Sequence, residues 1–241
     1  MLKIILKITV FLFISNQLVS VVYADWGPLI NGGEIVAEND PVALSTVMLE
    51  TERQYCSGTI ISDHNILTAA HCIGEGDNWI LIHFKGLESS ISRKATRFFR
   101  HENYQDMQET TRNDVALIFF DGGLPDKMRP VELLSKVDPL VLGEDLIIGG
   151  YGAGSPQGTL AKIMLKVSDF LDNRNLIKFN QTSTKGICHG DSGGPAYKMI
   201  NGKLYLAGLA SYANEIDCSS FSVYTIAMQF FDWIKSKQVD N

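Results

Sequence analysis

The sequence predicts an all-β protein built from closed barrels. Short runs rich in Val, Ile, Thr and aromatic residues recur along the chain, bounded by Gly, Asn, Asp or Pro turn chemistry. Only the end, Ala227 to Lys237, has helical periodicity, with Phe230, Trp233 and Ile234 on one face. No repeat with a period of about 20–50 residues points to a solenoid or propeller. Many strands with few helices leave barrels as the expected architecture.

Val42 to Leu49 and Cys56 to Ile61 are the first β-rich runs. Asp63-His64-Asn65 separates Thr59-Ile60-Ile61 from Ile66-Leu67-Thr68 and reads as a hairpin turn, with His64 an exposed loop residue. Trp79 to Phe84 is another strand, in which His83 alternates among apolar residues as a surface or packed position. Arg93, Lys94, Arg97, Arg100 and His101 read as a solvated strand face. Asp114 opens Val115 to Phe120, a continuous apolar strand buried on both sides. Asp121-Gly122-Gly123-Leu124-Pro125-Asp126 is the clearest break and divides the chain into two halves. Strands resume near Asp145–Ile148, Lys162–Val167, Leu204–Ser211 and Ser222–Ile226. The run Gly149 to Gly154 holds four glycines but lacks the strand–helix setting of a dinucleotide fingerprint, so no such site is expected.

With 241 residues, 45% apolar and 20% charged, the chain is ordinary globular material with ample core for one large domain or two compact halves. Residues 1–24 read as a secretory leader: Lys3 and Lys7, the apolar stretch Ile8 to Ile14, then Val22-Tyr23-Ala24 at a cleavage site. Ser15, Asn16 and Gln17 interrupt the apolar run and disfavour a membrane anchor. Losing the leader removes two cations and no acids, which takes the net charge from −6 to about −8. That charge argues against nucleic acid as a partner, and against an anionic membrane once the leader is cleaved.

Four cysteines in an exported chain suggest two disulfides in one of three pairings. The local pairs are Cys56 with Cys72 and Cys188 with Cys218. Closures of that size stabilise by about 3–4 kcal/mol each in the chain-entropy picture. His71 beside Cys72 and His189 beside Cys188 raise zinc as a competitor, but no Cys-x-x-Cys or His-x-x-x-His spacing supports it.

The chemistry centres on Cys188-His189-Gly190-Asp191-Ser192-Gly193-Gly194-Pro195. Small residues around Ser192 permit a sharp turn and close approach of a carbonyl to main-chain N–H groups. A serine hydroxyl needs a base, and the base needs an orienting group. All five histidines, His64, His71, His83, His101 and His189, precede Ser192. The α/β-hydrolase order of nucleophile, acid, histidine is thereby impossible, and the loose G-x-S-x-G match is a false lead. His71 sits among small residues in Thr68-Ala69-Ala70-His71-Cys72. Asp114 lies at the mouth of an apolar strand, where an unpaired charge is costly and an imidazole N–H would serve as partner.

Together, Thr68-Ala69-Ala70-His71-Cys72, Asn113-Asp114-Val115-Ala116-Leu117 and Gly190-Asp191-Ser192-Gly193-Gly194-Pro195 resemble the three signatures of the chymotrypsin/trypsin family of serine peptidases. His101-Glu102-Asn103-Tyr104 and Gly150-Tyr151-Gly152 also resemble family landmarks, and the likeness runs from about Leu29 to the terminal helix. The resemblance implies two six-stranded antiparallel β-barrels with the active site between them. With the leader at 1–24, the family-like mature start at Leu29 leaves 25–28 as a short propeptide, and the break at 121–126 divides the rest into 29–124 as the first barrel and 125–241 as the second barrel with its terminal helix. Carried onto this chain, the resemblance implies Ser192 as nucleophile, His71 as base, Asp114 as its orienting acid and Ser211 as support for Asp114. The N–H groups of Gly190 and Ser192 would form the oxyanion hole. Ser211-Tyr212-Ala213 would offer a strand edge to the substrate backbone.

Gly186 stands where trypsin-like members carry the aspartate that binds Lys or Arg, so an apolar P1 side chain is expected. The substrate-binding set is Gly186, His189, Ser211, Tyr212, Ala213 and Ser222; Ala213 and Ser222 replace family glycines and would shorten the pocket. The Cys218-to-Val223 loop is about two residues short, Phe221 replaces an expected proline, and Glu215 and Asp217 lie nearby. Leu29-Ile30-Asn31-Gly32-Gly33 resembles the mature start, whose freed amine would pair with Asp191. No Lys or Arg lies between Lys7 and Arg53, so activation is expected to be non-tryptic.

The expectation is a secreted (extracellular or periplasmic) serine endopeptidase, acting as a monomer on protein or peptide substrates and open to protein inhibitors. The family's acidic calcium loop is not recognisable between Ile80 and Ile91, so no metal and no cofactor are expected. Asn180-Gln181-Thr182 is a glycosylation sequon, meaningful in a eukaryotic secretory route. The alternative is a catalytically silent binding module on the same fold.

Overall fold

The computed structural model describes residues 11–14, 17–20, 30–85, 90–106, 111–152, 158–214 and 218–239. Within the expected leader, β1 (Phe11–Ile14) pairs antiparallel with β2 (Gln17–Ser20). The cleavage site, the short propeptide and Leu29 lie outside the described residues, as do Glu215 and Asp217. Among the described residues no helix is long and apolar enough to cross a membrane.

Two closed six-stranded antiparallel barrels form the body. The first contains β4 (Thr46–Thr51), β5 (Tyr55–Ser62), β6 (Asn65–Thr68), β7 (Ile80–Phe84), β8 (Ile91–Arg100) and β9 (Ala116–Phe120), closed in the order β4-β5-β6-β9-β8-β7. The second contains β11 (Asp145–Gly150), β12 (Ala161–Leu171), β13 (Leu176–Asn180), β14 (Pro195–Ile200), β15 (Lys203–Ala213) and β16 (Phe221–Ile226). Pairing of β15 with β16 closes it. A two-residue strand, β10 (Glu132–Leu133), lies parallel to β15.

Strand β9 shows why its sequence is apolar throughout. Ala116, Ile118 and Phe120 enter the core of the first barrel, whereas Leu117 and Phe119 face the layer between the barrels. Successive side chains on a strand point oppositely, so burial on both faces removes any polar alternation. That central layer also receives Met48 and Leu67 from the first barrel and Tyr151, Tyr197 and Leu209 from the second. Its few polar groups are paired across the barrels. The Tyr197 hydroxyl lies 3.0 Å from Ser45 Oγ and 3.1 Å from Thr46 Oγ1, and Tyr151 OH donates to the Thr46 carbonyl at 3.2 Å.

The chain ends cross over. Residues Glu34–Ile35 form β3 and pair with β12 of the second barrel, not with the first. The 3-10 turn Ala227–Phe230 leads into α2 (Phe231–Val239), which returns to the first barrel. There Trp233 Nε1 donates to Glu102 at 2.8 Å, Lys237 pairs with Glu102 at 2.5 Å, and Gln238 donates to Asn65 at 2.8 Å.

One element departs from the sequence reading. The start of the Val42-to-Leu49 run is not extended: Pro41–Ser45 is a short helix, α1, and β4 begins only at Thr46. Asp40 caps it, its carboxylate accepting from Val42 N–H at 2.9 Å, and Pro41 occupies the first turn. The Asp-Pro pair outweighs the β-propensity of Val42.

Candidate active site

Asp114 is wholly buried just before β9. Asn113, at φ +52°, bends the chain there and is held by its side-chain amide on the Asn103 carbonyl at 2.8 Å. Three donors converge on the Asp114 carboxylate: His71 Nδ1 at 2.8 Å, the His71 main-chain N–H at 2.9 Å and Ser211 Oγ at 2.6 Å. This satisfies a charge that would otherwise be costly to bury. Because Nδ1 donates, the imidazole presents Nε2 as an acceptor.

His71 lies in the 3-10 turn Ala70–Cys72 at the end of β6. Disulfide Cys56–Cys72 ties the turn to β5, and Gln54 donates to the His71 carbonyl at 2.9 Å. Burial alone pulls the His71 pKa down. The charge and hydrogen bond of Asp114, with a further contribution from Asp106, outweigh it, so the net pKa is raised above 6.5.

The Ser192 loop is bolted to the first barrel through Ser57, which sequence reasoning passed over. Ser57 N–H donates to the Ser192 carbonyl at 2.8 Å, and Ser57 Oγ donates to the Gly190 carbonyl at 3.2 Å. The same hydroxyl accepts from Tyr151 N–H at 3.0 Å. Its only sequence signal was its position next to Cys56. Gly193, at φ +72°, makes this contact possible: a Cβ there would run into Thr68 Oγ1 and come within 2.6 Å of the Ser57 carbonyl and 2.9 Å of Ala69 N. Ser192 is thus brought to the segment that leads into His71. No hydrogen bond joins Ser192 Oγ to His71 among the described residues. Neither the Gly190 nor the Ser192 N–H is taken by another described residue.

Beside Ser192 opens a cavity of about 350 Å³. Its lining includes His189, Ser211, Tyr212 and Ala213 from the expected set, with Ile187, Ala210 and the Cys188–Cys218 disulfide. Two expected members do not line it. Gly186 is buried, exchanging main-chain hydrogen bonds with Asn31 at 2.9 and 3.0 Å. Ser222 is buried next to Ala213 in the sheet, and its hydroxyl has no partner among the described residues. All four sulfurs are in disulfides, so His71 and His189 have no thiolates with which to build a zinc site.

Asp191 is fully buried beneath this loop. Its carboxylate accepts from Gly152 N–H at 3.0 Å and Cys188 N–H at 3.0 Å. It packs so closely on Gly150 that a Cβ there would approach its Cγ to 2.9 Å. Desolvation raises its pKa from 3.8 to about 7, against the two N–H donors that lower it. Ile30, next to Leu29, is buried in the core of the second barrel together with Ile187.

Comparison with known proteins identifies the family. The chain is 29% identical to Trypsin Blo t 3 of Blomia tropicalis over 253 residues, covering 94% of this chain and 91% of that protein. It is 26% identical to Serine protease SP24D of Anopheles gambiae, covering 87% and 81%. It is likewise 26% identical to Chymotrypsin-2 of Vespa crabro, covering 80% and 93%. The Trypsin family model matches residues 30–234, and the chain belongs to the chymotrypsin/trypsin-like family of serine peptidases.

Proposed function

We propose that the protein is a secreted serine endopeptidase that cleaves peptide bonds through His71, Asp114 and Ser192. The observation that carries this is the threefold satisfaction of Asp114 by His71 and Ser211, which orients the imidazole with Nε2 as its acceptor nitrogen; the Cys72 disulfide sulfur 4.0 Å from Nε2 has no proton to give it. Ser192 Oγ attacks the scissile carbonyl and passes its proton to His71 Nε2. Asp114 stabilises the imidazolium. The unengaged N–H groups of Gly190 and Ser192 receive the oxyanion, a contribution of about 3–4 kcal/mol per donor. His71 then protonates the leaving amine, and water hydrolyses the acyl-enzyme by the same steps in reverse.

Substrate backbone pairs along residues 211–213. Strand β14 pairs with β15 no further than Leu209, and Ala210 bonds the 193–194 loop, which leaves that edge open among the described residues. The side chain before the scissile bond enters the cavity beside Ser192. Ile187, Ala210, Tyr212 and Ala213 supply most of its apolar lining beside the polar His189, Ser192, Ser211 and Asn214, and no described lining residue carries a carboxylate, which favours aromatic or medium aliphatic P1 groups. Secretion rests on the leader at residues 1–24 and on the two disulfides. Activation frees the amine of Leu29 by a non-tryptic cut, and that amine pairs with Asp191. The proposed division keeps 25–28 as propeptide, 29–124 as the first half and 125–241 as the second.

The test is covalent labelling by a fluorophosphonate, with Ser192→Ala as control, on protein of defined N-terminus. Labelling of Ser192 with peptide hydrolysis supports the reading. An unreactive protein starting at Leu29 would instead be a binding module on this fold.

A further inference from the structure

Gln181 is a buried polar residue for which the proposed mechanism has no use, and it behaves as a structural part of the cavity. It follows β13 and is 6% exposed. Its side-chain amide makes three hydrogen bonds. Nε2 donates to the Ile187 carbonyl at 3.1 Å and to the Cys218 carbonyl at 2.6 Å, while Oε1 accepts from Ile187 N–H at 3.2 Å. Its own N–H donates to the Ser220 carbonyl at 3.0 Å. Ile187 and Cys218 both line the cavity beside Ser192, so one side chain joins two of its walls. The disulfide Cys188–Cys218 joins them one residue further on.

The same amide closes the space behind Gly186. A Cβ at Gly186 would come within 2.5 Å of Gln181 Oε1 and 2.6 Å of its Cβ, and Gly186 is at φ +156°. With Gly186 bonded to Asn31 and Ile187 bonded to Gln181, the main-chain polar groups of 186–187 are all consumed away from the cavity. A wall segment of this kind offers an incoming side chain no hydrogen-bonding groups of its own.

We propose that Gln181 is a specificity-determining positioning residue: it braces the wall at Ile187 and Cys188 against Cys218, fixes the cavity's width and keeps the main-chain polar groups of Ile187 out of the cavity. This rests on the serine-peptidase reading. Removing the amide leaves two buried carbonyls and one buried N–H unpaired, which turns them towards the cavity or admits water. The wall then yields, and discrimination among P1 side chains falls.

The experiment compares wild type, Gln181→Ala and Gln181→Met, processed to Leu29, with a P1-varied peptide library and a small fluorophosphonate. Met keeps the volume without the hydrogen bonds, and both variants preserve the Asn180-x-Thr182 sequon. Expected is a loss of about tenfold in kcat/KM for the preferred apolar P1, carried by KM, a size consistent with buried hydrogen bonds left unpaired. The ratio between preferred and polar P1 groups should contract in both variants, with fluorophosphonate labelling within about threefold of wild type. An unchanged P1 profile in either folded variant overturns the brace. So does a parallel fall in labelling and hydrolysis, or failure of both variants to fold, either of which makes Gln181 a general stabiliser. A wild type that fails to label refutes the serine-peptidase reading itself, a separate outcome.

Discussion

Asp191 offers the sharpest test of how this site is held before activation. In the precursor, residue 29 is joined to residue 28 and its nitrogen is an amide, so it brings no charge to Asp191. Among the described residues Asp191 has only the N–H groups of Gly152 and Cys188, and desolvation raises its pKa from 3.8 to about 7. At about 1.4 kcal/mol per unit, ionising it in the folded precursor costs about 4 kcal/mol. The folded pKa is raised, so the contribution is present in full below 3.8 and is lost as the pH rises through about 7. The assay is urea unfolding of the precursor from pH 3 to pH 8, in a Ser192→Ala background that prevents self-cleavage. Asp191→Asn is the reference, because it cancels other titrations such as that of His71. The stability of the Asp191 precursor relative to the Asn variant should fall by about 4 kcal/mol across that range. Under the proposed activation, processing to Leu29 would supply an ammonium to Asp191, and the difference should flatten. A relative stability constant within about 1 kcal/mol in the precursor refutes the reasoning.

Two further outcomes follow from the same geometry. Asp114→Asn should lower kcat by about 10⁴-fold, the size such a substitution has in a well-characterised triad, and should move the acid limb of kcat/KM to lower pH. The sign follows from His71: in the proposed mechanism neutral imidazole is the active base, and Asp114 makes the larger contribution to lifting its pKa above 6.5. A limb unmoved in the variant would show that Asp114 does not set that pKa. Gly193→Ala should destabilise the protein by about 3 kcal/mol or more, through overlap with Thr68 and Ser57 and a left-handed backbone. A melting temperature within about 2 °C of wild type would contradict the close packing between the Ser192 loop and the turn carrying His71.

What could be read from the chain depended on how local the cause was. Strand β9 is legible because burial on both faces suppresses alternation from Val115 to Phe120. The segments at His71, Asp114 and Ser192 stand out because small residues, a strand mouth and paired glycines are each unusual in sequence. Helix α1 is hard to read from the chain because only Asp40-Pro41 signals it, against the β-branched Val42 that follows. Strands β13 and β14 carry a weak sequence signal because Lys178 and Lys198 interrupt runs of only five and six residues. The crossing of the chain ends is non-local: nothing near Glu34 names β12 as its partner. Ser57 and Gln181 were invisible for the same reason. A lone serine in a strand or glutamine after one looks like a surface residue until its partners, 133 residues away at Gly190 and 37 away at Cys218, are in place.

The central claim is that Ser192 is an activated nucleophile. The most direct measurement is mass-spectrometric mapping of a fluorophosphonate adduct on protein beginning at Leu29, with and without Ser192→Ala. A single adduct on Ser192, absent from the variant and weakened in Asp114→Asn, is the predicted result. A folded protein of that N-terminus with no adduct, or one equally labelled after Ser192→Ala, would contradict it.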